Sequence, residues 1–182
     1  MSSNREKRIY KENVHLFLAL QRTGTAKDKK CIRQVIKDEE LDLKILEAKC
    51  LAMGGEWRIH KTVNTRNCEK ARKLLLKMLI DHPEKASVID SEWRTALMQR
   101  ECRVTKYFML DVDTEDNIKL KIINDILLEA GNNIYQKCIR IKTPKGWHYI
   151  TESFDTREIC KLPFVTLLRD GYYYVKTIGE NK

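Results

Sequence analysis

No Cys-x-x-Cys pair occurs in this chain, although it has six cysteines, and no histidine stands at zinc-finger spacing from any of them. The usual structural zinc sites are therefore excluded, and the cysteines at 31, 50, 68, 102, 138 and 160 read as reduced, mostly buried thiols. Nowhere do 18 apolar residues run together, which excludes a membrane-spanning helix. The polar opening MSSNREKRIY is followed by no apolar stretch of signal-peptide length, so a cytoplasmic location with no membrane partner is expected. Only three prolines and seven glycines are present, they form no linker, and there is no internal repeat or low-complexity tract. One compact domain over residues 1–182 is expected, with an approximate subdivision into 1–104 and 105–182.

What the chain does have is charge. Thirty-five Lys and Arg against 26 Asp and Glu give a net charge of +9, beside 42% hydrophobic residues that suffice for a core. A field of that sign draws in polyanions, so nucleic acid or a nucleotide is the leading partner class. A soluble basic protein without such a partner has the same net charge, because the total says nothing about where the charge sits.

Hydrophobic spacing predicts a helix from Tyr10 to Leu20, interrupted by Gly24, then one or two amphipathic helices up to Met53. Alternation predicts a strand over Glu56–Asn64, and two helices follow, one ending before His82-Pro83 and one over Asp90–Glu101. Next come a strand over Tyr107–Val112, a helix capped by Thr114 or Asp116 and closed by Gly131, and two strands within KCIRIKTPKGWHYIT. A short helix over Asp155–Cys160 and a β-hairpin turning at Asp170-Gly171 complete the chain. The expected class is α/β (α+β): a helical N-terminal part with a strand, then a β-α-β-β half ending in a hairpin.

The stretch KYFMLDVDTED sets two carboxylates two residues apart at the end of an apolar strand. Strand alternation puts Asp111 and Asp113 on one face, a place for Mg²⁺ or Mn²⁺, hard cations that take oxygen ligands. The bland alternative makes Asp113 the cap of the next helix and Asp111 a solvated strand end. In Thr143-Pro-Lys-Gly-Trp-His148, Gly146 lets the backbone approach a ligand, Lys145 offers charge to phosphate oxygens, and His148 can donate a hydrogen bond to them. Arg58 and His60 share one face of their strand and, with Lys142, are the candidate nucleic-acid contacts, unless that face is simply solvated. Trp57 and Trp93 are expected in the core.

An apolar strand ending in D-x-D, a helix, and then a turn with Gly and His in x-x-x-G-x-H order resembles the archaeo-eukaryotic primase superfamily. The motifs are Phe108-Met-Leu-Asp-Val-Asp113 and, more loosely, Thr143-Pro-Lys-Gly-Trp-His148, and the likeness spans about Tyr107 to Tyr149. It implies an RRM-like half, catalytic metal on Asp111 and Asp113, His148 on the phosphates of a nucleoside triphosphate, and Thr143, Lys145 and Gly146 beside it. A single-stranded template is the implied partner, and a minimal stand-alone core of the kind found in viruses or mobile elements is the implied context. The third acidic residue of that family falls on Asp170, with Asp155 as the other candidate. The activity the resemblance implies is that of a metal-dependent nucleotidyltransferase of primase or primase-polymerase type, in which a 3′-hydroxyl attacks the α-phosphate of the bound nucleotide and pyrophosphate leaves. A primase-derived nucleic-acid-binding protein without catalysis is the alternative. A metal-dependent phosphohydrolase of the haloacid-dehalogenase pattern is the weaker one, because only 69 residues follow Asp113 and Thr114 comes one place too early.

Overall fold

The structure, a computed structural model, describes residues 12–22 and 30–179. In chain order the elements are β1 (Asn13–Gln21), β2 (Cys31–Ile36), α1 (Glu39–Met53), β3 (Trp57–Thr62), β4 (Arg66–Asn67), α2 (Cys68–Asp81) and α3 (Ile89–Met98). There follow β5 (Phe108–Val112), α4 (Asn117–Ala130), α5 (Asn132–Lys137), β6 (Ile139–Thr143), β7 (Gly146–Thr151), β8 (Val165–Leu168) and β9 (Tyr172–Ile178). The class is mixed α/β, as the sequence predicts. Two sheets, antiparallel throughout, run β2-β1-β3-β9, with β4 added to β1, and β6-β7-β5-β8. The parallel sheet that the phosphohydrolase pattern needs is not among the described residues. No helix among them is long and apolar enough to cross a membrane.

The N-terminal part is not helical with a single strand. The expected helix from Tyr10 to Leu20 is, over its described part, the central strand β1, and residues 31–36 form β2 instead of opening a helix. Tyr10 and Gly24 lie outside the described residues. The cause is burial on both faces: Phe17 and Ala19 pack under α1 with Leu46 and Ile59, while Val14 and Leu16 pack against α2 and α3 with Ala71 and Leu97. A strand covered on both sides loses its polar–apolar alternation, and its apolar spacing then passes for a helix.

The C-terminal hairpin is also absent. β8 pairs with β5 and β9 with β3, so the chain changes sheets at Asp170-Gly171, and Gly171 lacks the left-handed backbone of a type I′ turn. A distant residue overrides the local turn signal: Arg66, wholly buried, donates from both terminal nitrogens to the Asp170 carboxylate at 2.9 and 2.6 Å. β9 thereby returns residues 172–178 to the first sheet, across the subdivision expected at 104. Within Asp155–Cys160 no α-helix forms; a 3-10 turn at Ile159–Lys161 takes its place.

In the second sheet β5, α4, β6 and β7 form where the sequence predicts them, while α5 is not expected from it. Asp116 caps α4 by accepting from the Ile118 N–H at 2.8 Å, and Gly131 ends it. Ile123 and Leu127 of α4 bury Leu110, Val112 and Tyr149 on one face of the sheet. Met109 and Ile150 on the other face pack against Val63 and Tyr173, where the edge of the first sheet abuts the second. All six cysteines are free thiols; Cys50, Cys68 and Cys102 are buried, whereas Cys31 and Cys160 are exposed.

Candidate functional site

Because Leu110 and Val112 face α4, alternation sends Met109, Asp111 and Asp113 to the opposite face of β5. Directly across from Asp111 stand His148 on β7 and Thr166 on β8, which puts the three in one row. His148 Nε2 lies 3.4 Å from Asp111 Oδ1. Its other ring nitrogen, Nδ1, accepts the Tyr174 N–H at 2.9 Å, so the proton of the neutral ring sits on Nε2 and points toward the carboxylate. That N–H belongs to the outward edge of β9, which β3 leaves unpaired at this point, and the histidine satisfies it. His148 is buried, its side chain only 8% exposed, while Asp111 at 39% opens to solvent.

Asp113 follows the end of β5 and is exposed. Asp116, not Asp113, caps the next helix, which removes the capping explanation for the second carboxylate. Gly146 explains how the β6–β7 turn reaches this end of β5: a Cβ there would stand 2.0 Å from the Val112 carbonyl oxygen and 3.0 Å from the Thr114 nitrogen. Only glycine permits that approach, and it seats Thr143 and Lys145 beside the strand end that carries Asp113. Lys142 goes elsewhere. It pairs with Trp147 in register, on the face opposite His148, with its ammonium 2.6 Å from Glu115 and over the Trp147 ring.

The first sheet supplies a wall. Tyr174 lies across from His60 on β3, and their rings meet edge-on with centroids 6.1 Å apart. Burial, then the neighbouring His148, push the His60 imidazole down to about 4, and its Nδ1 is buried without a hydrogen-bond partner. Arg58, two residues along on the same face, lies 3.6 Å from Glu56 through Nε. The structure thus brings His60 close to His148, leaves Arg58 two residues further along β3 beside Glu56, and separates Lys142 from the Asp111–His148 pair.

Neither candidate for a third carboxylate lies in this row. Asp170 sits at the other end of β5: Asn64 donates both to its carboxylate and to the Tyr107 carbonyl, and Arg66 engages both its oxygens. Asp155 is held by Arg157 on the α4 side of the sheet, beside Glu129 and Ala130, which lowers its pKa. Among the described residues no three His, Cys, Asp or Glu side chains form a group that can hold a metal ion by themselves. Two carboxylates suit a single Mg²⁺ or Mn²⁺, which completes its shell with water and substrate phosphate, but not a pair of ions.

Comparison with protein-family models, curated proteins and solved structures returned no match. The site is therefore read from its own geometry. That geometry contains two positions that sequence reasoning missed, Tyr174 and Thr166. Tyr174 acts through its main-chain N–H, which residue type does not mark, and the expected hairpin would have paired β9 with β8. Thr166 becomes visible only once β8 is known to flank β5.

Proposed function

We propose that the chain is a nucleic-acid-binding protein of primase type that holds a nucleoside triphosphate, with one Mg²⁺ or Mn²⁺ ion, at Asp111, Asp113 and His148. The observation that carries this reading is the cross-strand pair of Asp111 and His148, 3.4 Å apart, with the carboxylate open to solvent and the imidazole buried beside it. Asp111 and Asp113 supply oxygen ligands for the cation, whose charge attracts the triphosphate. His148, its Nδ1 occupied by Tyr174, offers Nε2–H to a non-bridging phosphate oxygen. Thr143 and Lys145 flank the phosphates on the turn that Gly146 seats, while Arg58 and His60 face the polymer. The net charge of +9 supports a polyanionic partner. The order β5-α4-α5-β6-β7, with Asp111 and His148 paired across the sheet, supports the primase resemblance as well.

Nucleotidyl transfer is the second reading, favoured by the same carboxylate–histidine pairing: a 3′-hydroxyl would attack the α-phosphate and pyrophosphate would leave. It calls for a shared carboxylate cradle for two ions. Thr166 stands where β8 flanks Asp111, and Asp170 and Asp155 are engaged by Arg66 and Arg157. Binding without transfer is therefore the conclusion.

Equilibrium dialysis of a nucleoside triphosphate with and without Mn²⁺, run beside primer synthesis and extension on a single-stranded template, tests both. The expected result is Mn²⁺-dependent binding that an Asp111→Ala, Asp113→Ala variant loses, and no product. Product from the wild type alone would establish transfer. Equal nucleotide binding by both proteins would remove the site.

A further inference from the structure

The cross-strand registers place Arg33 of β2, Leu18 of β1, His60 of β3 and Tyr174 of β9 in one row on one face of the first sheet. Tyr174 hands the row on to His148, and His148 to Asp111 and Thr166. A line of residues, joined at Tyr174 through its main-chain N–H, therefore crosses both sheets, and its far end, Arg33, lies three strand spacings, about 14 Å, from Tyr174. α2 and α3 cover this face near Val14, Leu16 and Val35. Leu18 and Leu20 are only half-buried, and Arg33 is exposed.

At Arg33 the row runs into a groove of about 380 Å³ along the free edge of β2, between α1 and α3. Arg33, Lys49 and Arg94 bring cationic side chains to it, and Trp93 forms part of its wall. Of its two carboxylates, Asp42 is already occupied, accepting from the Lys37 and Asp38 main-chain N–H groups and from Gln34 Nε2. Among the described residues Arg33 and Arg94 make no ion pair. Trp93, expected to be core, is half-buried and also walls an adjoining hollow with Leu75 and Ile89, so part of its indole is available to a flat ligand. Cations tracking a backbone and an aromatic face for a base are the two elements of single-strand recognition.

We infer that this face and groove form a track for single-stranded nucleic acid that leads away from the Asp111–His148 site, with Arg33, Arg94 and Trp93 as its distal contacts. The inference rests on the reading of Asp111 and His148 as a site that meets a nucleic-acid strand. It adds a direction, across β3 and β1 to the edge of β2, and a distal subsite with charge for phosphates and an indole for one base.

The test is fluorescence anisotropy with a labelled single-stranded oligonucleotide of about 16 residues, titrated over a range of salt. The proteins are the wild type, an Arg33→Gln, Arg94→Gln variant and Trp93→Phe, with Mn²⁺-dependent nucleotide binding measured on each. Losing two phosphate contacts should lower the affinity about tenfold at low salt and flatten the slope of log K against log salt by about 1.4. Nucleotide binding should persist, and oligonucleotide-induced quenching of tryptophan fluorescence should shrink in Trp93→Phe. An unchanged affinity and slope in the double variant would overturn the track and leave the nucleotide site standing. Loss of nucleotide binding in the double variant would also overturn it, because the arginines would then act through the fold. A wild type that binds no oligonucleotide at low salt would overturn both readings.

Discussion

Replacing Asp170 by Asn separates a structural carboxylate from a catalytic one. The change keeps the shape of the side chain and removes its charge, leaving Arg66, whose side chain is 0% exposed, ionised and buried against a neutral amide. Breaking a buried pair from one side typically costs about 3–5 kcal/mol, and the lower end applies here because the amide oxygen can still accept one of the two Arg66 N–H groups. The network extends further: Asn64, itself buried, donates to Asp170 and Tyr107 and accepts from the Tyr107 N–H at 2.8 Å and the Thr105 hydroxyl at 3.0 Å. A loss of about 3 kcal/mol is a large part of the total stability of a domain and corresponds to a fall in Tm of roughly 6–12 °C at this chain length. Urea denaturation followed by circular dichroism measures it, and calorimetry with Mn²⁺ on the still-folded variant measures the site. The expected outcome is a clear loss of stability with Mn²⁺ affinity retained, and an Arg66→Met, Asp170→Leu variant should recover much of the loss. Unchanged stability together with lost Mn²⁺ binding would refute the argument and return Asp170 to the metal cradle.

Three further outcomes are expected. His60 titrates near 4 in the folded protein and near 6.5 unfolded, so the stability from keeping it neutral is complete above pH 6.5 and is lost as pH falls toward 4, by roughly 3 kcal/mol. His15 is shifted the same way by burial, and urea midpoints at pH 7 and 4.5 should differ less in His60→Gln than in the wild type. Gly146→Ala puts a Cβ 2.0 Å from the Val112 oxygen, so β7 must move; a cost of about 3 kcal/mol and loss of nucleotide binding are expected, and normal values in both assays would contradict the close approach. Thr166→Asp sets a carboxylate directly across from Asp111, and about tenfold tighter Mn²⁺ binding, with lower stability in a chelator, should appear by calorimetry.

Legibility followed the range of the interactions. Between Phe108 and Thr151 all but α5 is readable because the determinants are local: the alternation of β5, the cap at Asp116, the stop at Gly131 and the turn before Gly146. Counting outward from the Thr143–Gly146 pair would also have shown Lys142 opposite Trp147, on the wrong face for His148. β1 was hidden because Val14, Leu16, Phe17 and Ala19 are all buried, two on each side of the sheet. The strongest turn signal in the chain misled, since Asp170 answers to Arg66, 104 residues away, and to nothing nearby. In the candidate site the carboxylates and the histidine were legible by type and spacing; the amide that holds the histidine was not.

That amide ties the chemistry of the site to the order in which the molecule can assemble. The strand that carries it spans residues 172–178 and among the described residues pairs with β3, residues 57–62, alone, so its docking closes a loop of more than a hundred residues. Contacts of that range carry a high entropic cost and form slowly. A partly folded chain with β5, β6 and β7 already joined would own both aspartates and the histidine, yet its imidazole would be free to exchange tautomers and to turn away from Asp111. The histidine acquires a fixed orientation only on global closure, so its slowly exchanging ring proton should emerge together with protection of the β9 amides and no earlier in refolding.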